Sequence, residues 1–282
     1  MKLVVGYLAT PGGADAVALG VRLARTLGAE LELRLVVEAD DVTTPRVTVE
    51  KFQDVLADQT RVWLDEALKL VPEDVTAHAE VVVAESVTEA LSAEAVRLDA
   101  LAIVVGGSGG GLIGRYWLGS DVDHLLHFAP VPVAVAPRGT RHSDVARVRT
   151  VTCAIGSRPG AKLLLDTAAR LSAAAGVPLR LVSLVALDAH PGSDVEVARE
   201  KAGAAIESAK ASLPSDLEVT TEVVEGASVE EAVEKLTWRD GDLLMLGSSR
   251  LAPPRRLFIG STAARILRVL DVPIVVTPRG DD

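Results

Sequence analysis

The chain has 282 residues, 49% hydrophobic and 24% charged, with a mean hydropathy of +0.30 and a formal net charge of −10 at pH 7. That composition supplies a packed core and excludes wholesale disorder, a collagen-like repeat and, with a single cysteine, a fold stapled by disulfides. The acidic balance argues against a protein that coats nucleic acid, which needs clustered Lys and Arg to displace counterions.

In chain order, an apolar run from Leu3 to Leu8 reads as a strand. Pro11-Gly12-Gly13 interrupts it, so it does not continue as a signal segment, and no run approaches the ~18 apolar residues of a membrane span. The expected compartment is a reducing cytoplasm. A helical pattern follows over Gly12 to Leu27 and stops at Gly28, where a C-terminal glycine belongs. Strands at Leu31 to Val37, Ala77 to Val83, Leu101 to Val105 and Val133 to Ala136 then alternate with helices at Val49 to Leu70, Ser86 to Leu98 and Gly119 to Phe128. The strands are rich in Val and Leu without clean polar alternation, as parallel strands covered on both faces are. After the polar stretch Gly139 to Asp144 the order repeats. Strands are predicted at Thr150 to Ile155, Leu179 to Val185, Leu217 to Val224, Leu243 to Leu246 and Ile274 to Val276, and helices at Pro159 to Ala175, Val195 to Leu213, Ser228 to Trp238 and Ser261 to Leu270. Cys153, inside one of these apolar runs, is read as a small buried hydrophobe.

The repetition extends to the residues. Val131-Pro132-Val133 to Pro137-Arg138-Gly139 is echoed 141 positions later by Val272-Pro273-Ile274 to Pro278-Arg279-Gly280, and at the same offset Gly106 meets Gly247 and Gly119-Ser120 meets Gly260-Ser261. A period this long is a domain duplication rather than a solenoid, whose units run to about 20 to 50 residues. The expected domains are residues 1–140 and 145–282, with Gly139 to Asp144 as linker. Five strands per half joined by helices imply right-handed crossovers and a doubly wound parallel sheet in each, an α/β fold. In such sheets ligands bind beyond the carboxyl ends of the strands, which directs attention to the loop after the fourth strand.

In the first half that loop is Gly106-Gly107-Ser108-Gly109-Gly110-Gly111, leading through Arg115, Tyr116 and Trp117 to Gly119-Ser120 at a helix start. Bare glycine backbone brings N–H groups close to phosphate oxygens, and a helix N-terminus adds oriented donors. A flexible crossover loop would also be glycine-rich, so both readings stand on the residues alone. The Lys of a Walker loop is missing, and the loop follows the fourth strand, not the first as a dinucleotide fingerprint requires.

The spacing Gly106-x2-Gly109-x9-Gly119-Ser120, with a closing Val-Pro-x-x-Val-x-Pro segment in each half, resembles the nucleotide-binding signature of universal stress proteins, in a tandem arrangement spanning essentially the whole chain. The resemblance implies two five-stranded adenine nucleotide alpha hydrolase-like sheets in the order 3-2-1-4-5. It implies ATP between the first and fourth strands, with ADP or AMP as alternatives and Mg accompanying ATP, and an internal pseudo-dimer paired through the last strands, with a further homodimer left open. Carried onto this sequence, Gly106, Gly109, Gly119 and Ser120 would contact ribose and phosphates, and Val36 the adenine. One element departs: Leu8 stands where the family places an Asp that holds the nucleoside. Losing a charge-assisted bond costs roughly ten- to a hundred-fold in affinity, and Asp121 beside Ser120 opposes a triphosphate, so weakened ATP binding is expected. The second site, Gly247, Arg250, Gly260 and Ser261, departs further, with Arg250 at the second glycine and Gly156 at the Asp position. Arg250, with Arg255 and Arg256, either fills the phosphate place or leaves room for a smaller anion, and an emptied pocket with solvated arginines is the alternative.

The halves differ in charge: residues 1–140 carry 11 Lys+Arg against 20 Asp+Glu, and 141–282 carry 18 against 19. The second half could therefore seat electrostatically on the first, although solvated surface charge explains the numbers equally. His124 and His127 share a helix face, where a surface or interdomain role is favoured over a metal site. No catalytic triad or metal site is expected. The resulting expectation is a stress-response binding module regulated by adenine nucleotide, with at most slow ATP hydrolysis. Its alternatives are an ATP-using enzyme of the same class and a nucleotide-free scaffold.

Overall fold

The computed structural model describes residues 1–38, 49–107, 119–156, 162–186, 188, 195–249, 252 and 256–279, with the side chains of 49–57 excluded. Gly109, Arg115, Tyr116, Trp117, Arg250 and Arg255 lie outside the described residues.

The first half runs β1 (Lys2–Gly6), α1 (Pro11–Leu27), β2 (Glu30–Glu38), α2 (Val49–Lys69), β3 (Ala77–Ala84), α3 (Val87–Arg97), β4 (Ala102–Gly106), α4 (Ser120–Phe128) and β5 (Val133–Ala136). The second runs β6 (Thr150–Ala154), α5 (Lys162–Ala175), β7 (Leu179–Ala186), α6 (Val195–Ala211), β8 (Val219–Gly226), α7 (Val229–Lys235), β9 (Asp242–Gly247), α8 (Ser261–Val269) and β10 (Ile274–Thr277). The strands form one ten-stranded sheet, β3-β2-β1-β4-β5-β10-β9-β6-β7-β8. Each half is therefore a 3-2-1-4-5 parallel sheet, and the two meet through an antiparallel pair in the register Ile274↔Val135, Val275↔Ala134 and Val276↔Val133. Among the described residues no helix is long and apolar enough to cross a membrane.

Because successive strand residues point to opposite faces, the seam serves two cores at once. Ala134, Ala136 and Val275 join the core under α1, α2, α5 and α6, whereas Val133, Val135, Ile274 and Val276 join the core under α3, α4, α7 and α8. Cys153 is wholly buried, and burial pushes its thiol up to about 12. On the α3 face, β2 carries an ion network that the apolar pattern hid: the Arg34 guanidinium, 2% exposed, bonds Glu32 at 2.9 Å and Glu94 at 2.6 Å. The Glu94 carboxylate also accepts from Arg97, and these guanidinium bonds hold it at about 2 against its burial.

Local sequence places α1. Thr10 is its N-cap and accepts from Gly13 N at 3.2 Å, Pro11 opens the first turn, and Gly28 ends it at a φ of +65° that favours glycine. α7 is shorter than the predicted Ser228 to Trp238. Trp238 leaves the helix line, donates Nε1 to Val233 O at 3.1 Å and stacks under the Arg180 guanidinium, 4.8 Å from its ring centre.

The stretch expected as a polar linker is built into the fold. Asp15, 1% exposed on α1, accepts from Gly139 N (3.1 Å), Arg141 N (2.9 Å) and Arg141 Nη1 (2.9 Å). Two turns on, Arg22 donates to Val145 O at 3.1 Å, to Ser143 Oγ and to Asp240 Oδ1 of the second half at 3.3 Å. Thr26 Oγ1 accepts from Val148 N at 3.0 Å. Positions 15, 22 and 26 form one stripe of the helix, so α1 grips the whole connection. Replacing Asp15 by Ala leaves the Gly139 and Arg141 main-chain donors unpaired while Arg141 keeps Pro11 O, and urea unfolding should show a loss of about 2 kcal/mol, the scale of hydrogen bonds to a charged group. A loss below about 0.5 kcal/mol, ordinary for a surface change, would mean the connection is held by other contacts.

Candidate functional site

The candidate site lies at the carboxyl edge of the sheet, where β1 and β4 end. β1 stops at Gly6. Tyr7 N still donates to Arg34 O at 2.9 Å, and the chain then turns sharply, Thr10 N donating to Leu8 O at 2.7 Å. Leu8 is left 50% exposed at this rim. A carboxylate there would have stayed hydrated and free to accept, whereas the leucine offers only a methyl surface. Gly106 is the last residue of β4, and Gly107 N donates to Ala136 O at 3.1 Å. Gly119 is the N-cap of α4 with no side-chain cap bond, and Ser120, its first residue, is exposed. Among the described residues no side chain caps this first turn, whose N–H groups lie at the positive end of the helix dipole. Asp121 and Asp123 sit in the same turn and compete with any anion for that field. Val36 is 8% exposed, packed with the α3 and α4 core, while Val37 next to it is half-buried.

The glycines of the first half have a packing use as well. A Cβ on Gly106 would overlap Gly12 O, a Cβ on Gly13 would overlap Leu8 O, and one on Gly12 would fall 2.5 Å from Gly107 O. The first turn of α1 thus rests main chain on main chain against the end of β4, as a close helix–strand approach requires. The second half is looser at the same places. Strand registers put Gly156 where Leu8 stands; it is exposed, with nothing within 4 Å of an added Cβ. A Cβ on Gly247 would meet only the Leu164 side chain, at 3.4 Å.

Gly260 caps α8 as Gly119 caps α4, without a side-chain bond, and Ser261 is exposed. The segment leading into α8 departs from expectation. Arg256, expected to attend an anion near Gly260-Ser261, donates Nη1 to Phe128 O at the carboxyl end of α4 at 2.9 Å. Leu257 N donates to Ala129 O at 3.0 Å and Ile259 N to Leu126 O at 2.9 Å. α4 ends with carbonyls that lack intrahelical partners, and the second half supplies donors for them. Phe258 N donates to Ser248 Oγ at 2.7 Å, and the Phe258 ring stands edge-on to His127, 5.0 Å between centres. His127 therefore has the interdomain role foreseen for it. Among the described residues apolar strands and main-chain bonds join the halves, with Arg22–Asp240 as an ionic contact.

The gap between the last two helices of each half is filled differently. Ser86 and Ser228 are matching N-caps, accepting from Glu89 N and Glu231 N, so Thr88 on α3 corresponds to Glu230 on α7. By the 141-residue offset His124 on α4 corresponds to Arg265 on α8. In the second half Arg265 Nε bonds both Glu230 oxygens, at 2.7 and 2.9 Å, and its Nη2 reaches Asp188 at 2.6 Å. The Arg265 bonds hold the Glu230 carboxyl at about 2 and raise the guanidinium. In the first half Thr88 is buried, and its hydroxyl has no hydrogen-bond partner. Comparing the two copies at these positions, Thr/His against Glu/Arg, is the signal in the sequence that could have found this difference. Gly106→Ala should destabilise by about 3 kcal/mol through main-chain overlap, at the upper end for overpacking, and Gly247→Ala by less than about 1 kcal/mol. Equal losses in thermal unfolding would contradict the asymmetry.

Comparison with known proteins gives the same frame. The model of the universal stress protein family matches residues 1–137 and again 147–278. The universal stress protein Rv2319c of Mycobacterium tuberculosis is 28% identical over 99% of this chain and 100% of its own length, as is the universal stress protein Mb2346c of Mycobacterium bovis. Among solved structures, a universal stress protein from Archaeoglobus fulgidus superposes over 99% of this chain and 98% of its own with a TM-score of 0.66 at 17% identity. A putative universal stress protein from Pseudomonas aeruginosa covers 99% and 94% with a TM-score of 0.60 at 18% identity. With two copies of the family domain fused through one sheet, the chain belongs to the universal stress protein family.

Proposed function

We propose that the protein is a cytoplasmic regulatory binding module of the stress response, whose first half takes ATP or a related adenine nucleotide. The observation that carries this reading is the bare N-terminus of α4: Gly119 caps it without a side chain and Ser120 is exposed beside it. This end of a helix that follows a glycine-rich loop offers N–H donors and a hydroxyl to an anionic tail. The phosphate end fits the residues present. The nucleoside end fits less well, since Leu8 accepts no hydrogen bond and Asp121 and Asp123 repel a triphosphate. Affinity should therefore be modest, and Mg accompanying ATP would offset part of the acidic field. In this reading the module binds and does not turn over its ligand, beyond slow hydrolysis.

A second reading, a nucleotide-free scaffold, is favoured by the packing of Gly12 on Gly107 at the end of β4. Calorimetric titration with ATP, ADP, AMP and cyclic AMP, with mass spectrometry of any ligand released from the purified protein, separates the two. The nucleotide reading expects saturable binding that is abolished in Gly109→Arg, which copies the second half, and unchanged in Ser261→Ala. No uptake and no released ligand would leave the scaffold. Turnover well above background with an added acceptor would instead identify an enzyme.

A further inference from the structure

Leu91 on α3 lies over the end of β1, its Cδ1 2.9 Å from where a Cβ on Gly6 would stand. Thr88 is one helical turn nearer the carboxyl edge, about 5 Å along the axis. It therefore lies, buried, at the level of the rim where β1 has ended and Leu8 follows. The residue is 6% exposed, yet its Oγ1 makes no hydrogen bond. A buried hydroxyl without a partner carries a desolvation cost that a polar group brought into the crevice would remove. Such an orphan in a native fold calls for an explanation.

The second half shows what positions 88 and 124 do when the fold alone satisfies them. There Glu230 and Arg265 reach each other across the gap, and Asp188 completes the cluster. In the first half, among the described residues, no ion pair joins these two positions: His124 is exposed and turns its ring edge-on to Phe128, 5.3 Å between centres, and the Thr88 hydroxyl has no partner. One copy has closed its gap with its own charges, and the other has kept a donor and acceptor unspent.

Resting on the reading of the first half as the nucleotide site, we infer that the Thr88 hydroxyl hydrogen-bonds the sugar or base edge of the bound nucleotide, replacing in part the acid that Leu8 lacks. A hydroxyl both donates and accepts, so it serves a ribose O–H or a ring nitrogen equally. Thr88 is thus a further binding residue for the nucleoside, while Gly119 and Ser120 hold the phosphates.

The test is calorimetric titration with AMP and ATP, together with thermal unfolding of the unliganded protein, on the wild type, Thr88→Val and the double variant Thr88→Glu/His124→Arg. Thr88→Val keeps the shape and β-branching and removes only the hydroxyl. It should weaken binding about tenfold, within the reach of one hydrogen bond, and leave the unfolding midpoint unchanged or higher. The double variant, which copies the second half, should lose binding while remaining folded. Wild-type affinity in Thr88→Val would overturn the inference and leave the nucleotide reading intact. A lowered midpoint in Thr88→Val would show that the hydroxyl serves the fold and overturn it too. Wild-type protein that binds neither nucleotide would overturn both.

Discussion

The antiparallel pairing of β5 with β10 is the constraint on which the rest depends. Four buried residues from each half, Val133–Ala136 and Ile274–Thr277, turn two parallel sheets into one. Because alternate side chains of both strands enter opposite cores, neither half can rotate without opening both. The direction of pairing then sets what meets what. An antiparallel seam brings the carboxyl end of α4 in the first half to the segment before α8 in the second, and the carbonyls left over by one helix find donors from Arg256, Leu257 and Ile259. α1 completes the lock from the other face by holding the connection through Asp15, Arg22 and Thr26.

Fused copies need not stay equivalent, and these have not. The first half packs α1 tightly on the end of β4 and leaves the Thr88 hydroxyl unpaired, while a helix start with no side-chain cap and with an exposed serine is common to both halves. The second half is open at Gly156 and leaves Arg180 Nη2 unpartnered, but ties other polar groups within itself or across the seam. Arg265 is tied to Glu230 and Asp188, Ser248 to Phe258, and Arg256 to α4. Between α3 and α4 and between α7 and α8, what separates the halves is which groups have partners within the fold.

Much of the fold was legible in the sequence because it rests on local signals. Thr10, Pro11 and Gly28 bracket α1 by capping chemistry, the Val- and Leu-rich runs mark strands buried on both faces, and the 141-residue echo revealed the duplication. The resemblance supplied the strand order. What escaped has no period. Arg34 and Glu32 sit in a strand that reads as apolar yet pair with Glu94 some sixty residues on, and no pattern in β2 announces it. The connection after β5 is polar in composition, which suggested a tether, but its N–H groups are met by side chains of a helix more than a hundred residues earlier. Arg256 looked like an anion ligand by its neighbours in sequence, and the seam turned it toward Phe128. The Thr88 and His124 pair becomes informative only when set against Glu230 and Arg265.

The central claim is that the two halves have divided their labour, the first leaving the Thr88 hydroxyl unpaired where the second closes the matching gap with Glu230, Arg265 and Asp188. Hydrogen exchange measured with and without saturating adenine nucleotide tests it most directly. Slower exchange on ligand addition should appear at the start of α4, Ser120–Asp123, and around Tyr7–Thr10, with the start of α8 and the α7 cap unchanged. Protection confined to Ser261–Ala264 and Ser228–Ala232, or no change in either half, would contradict it.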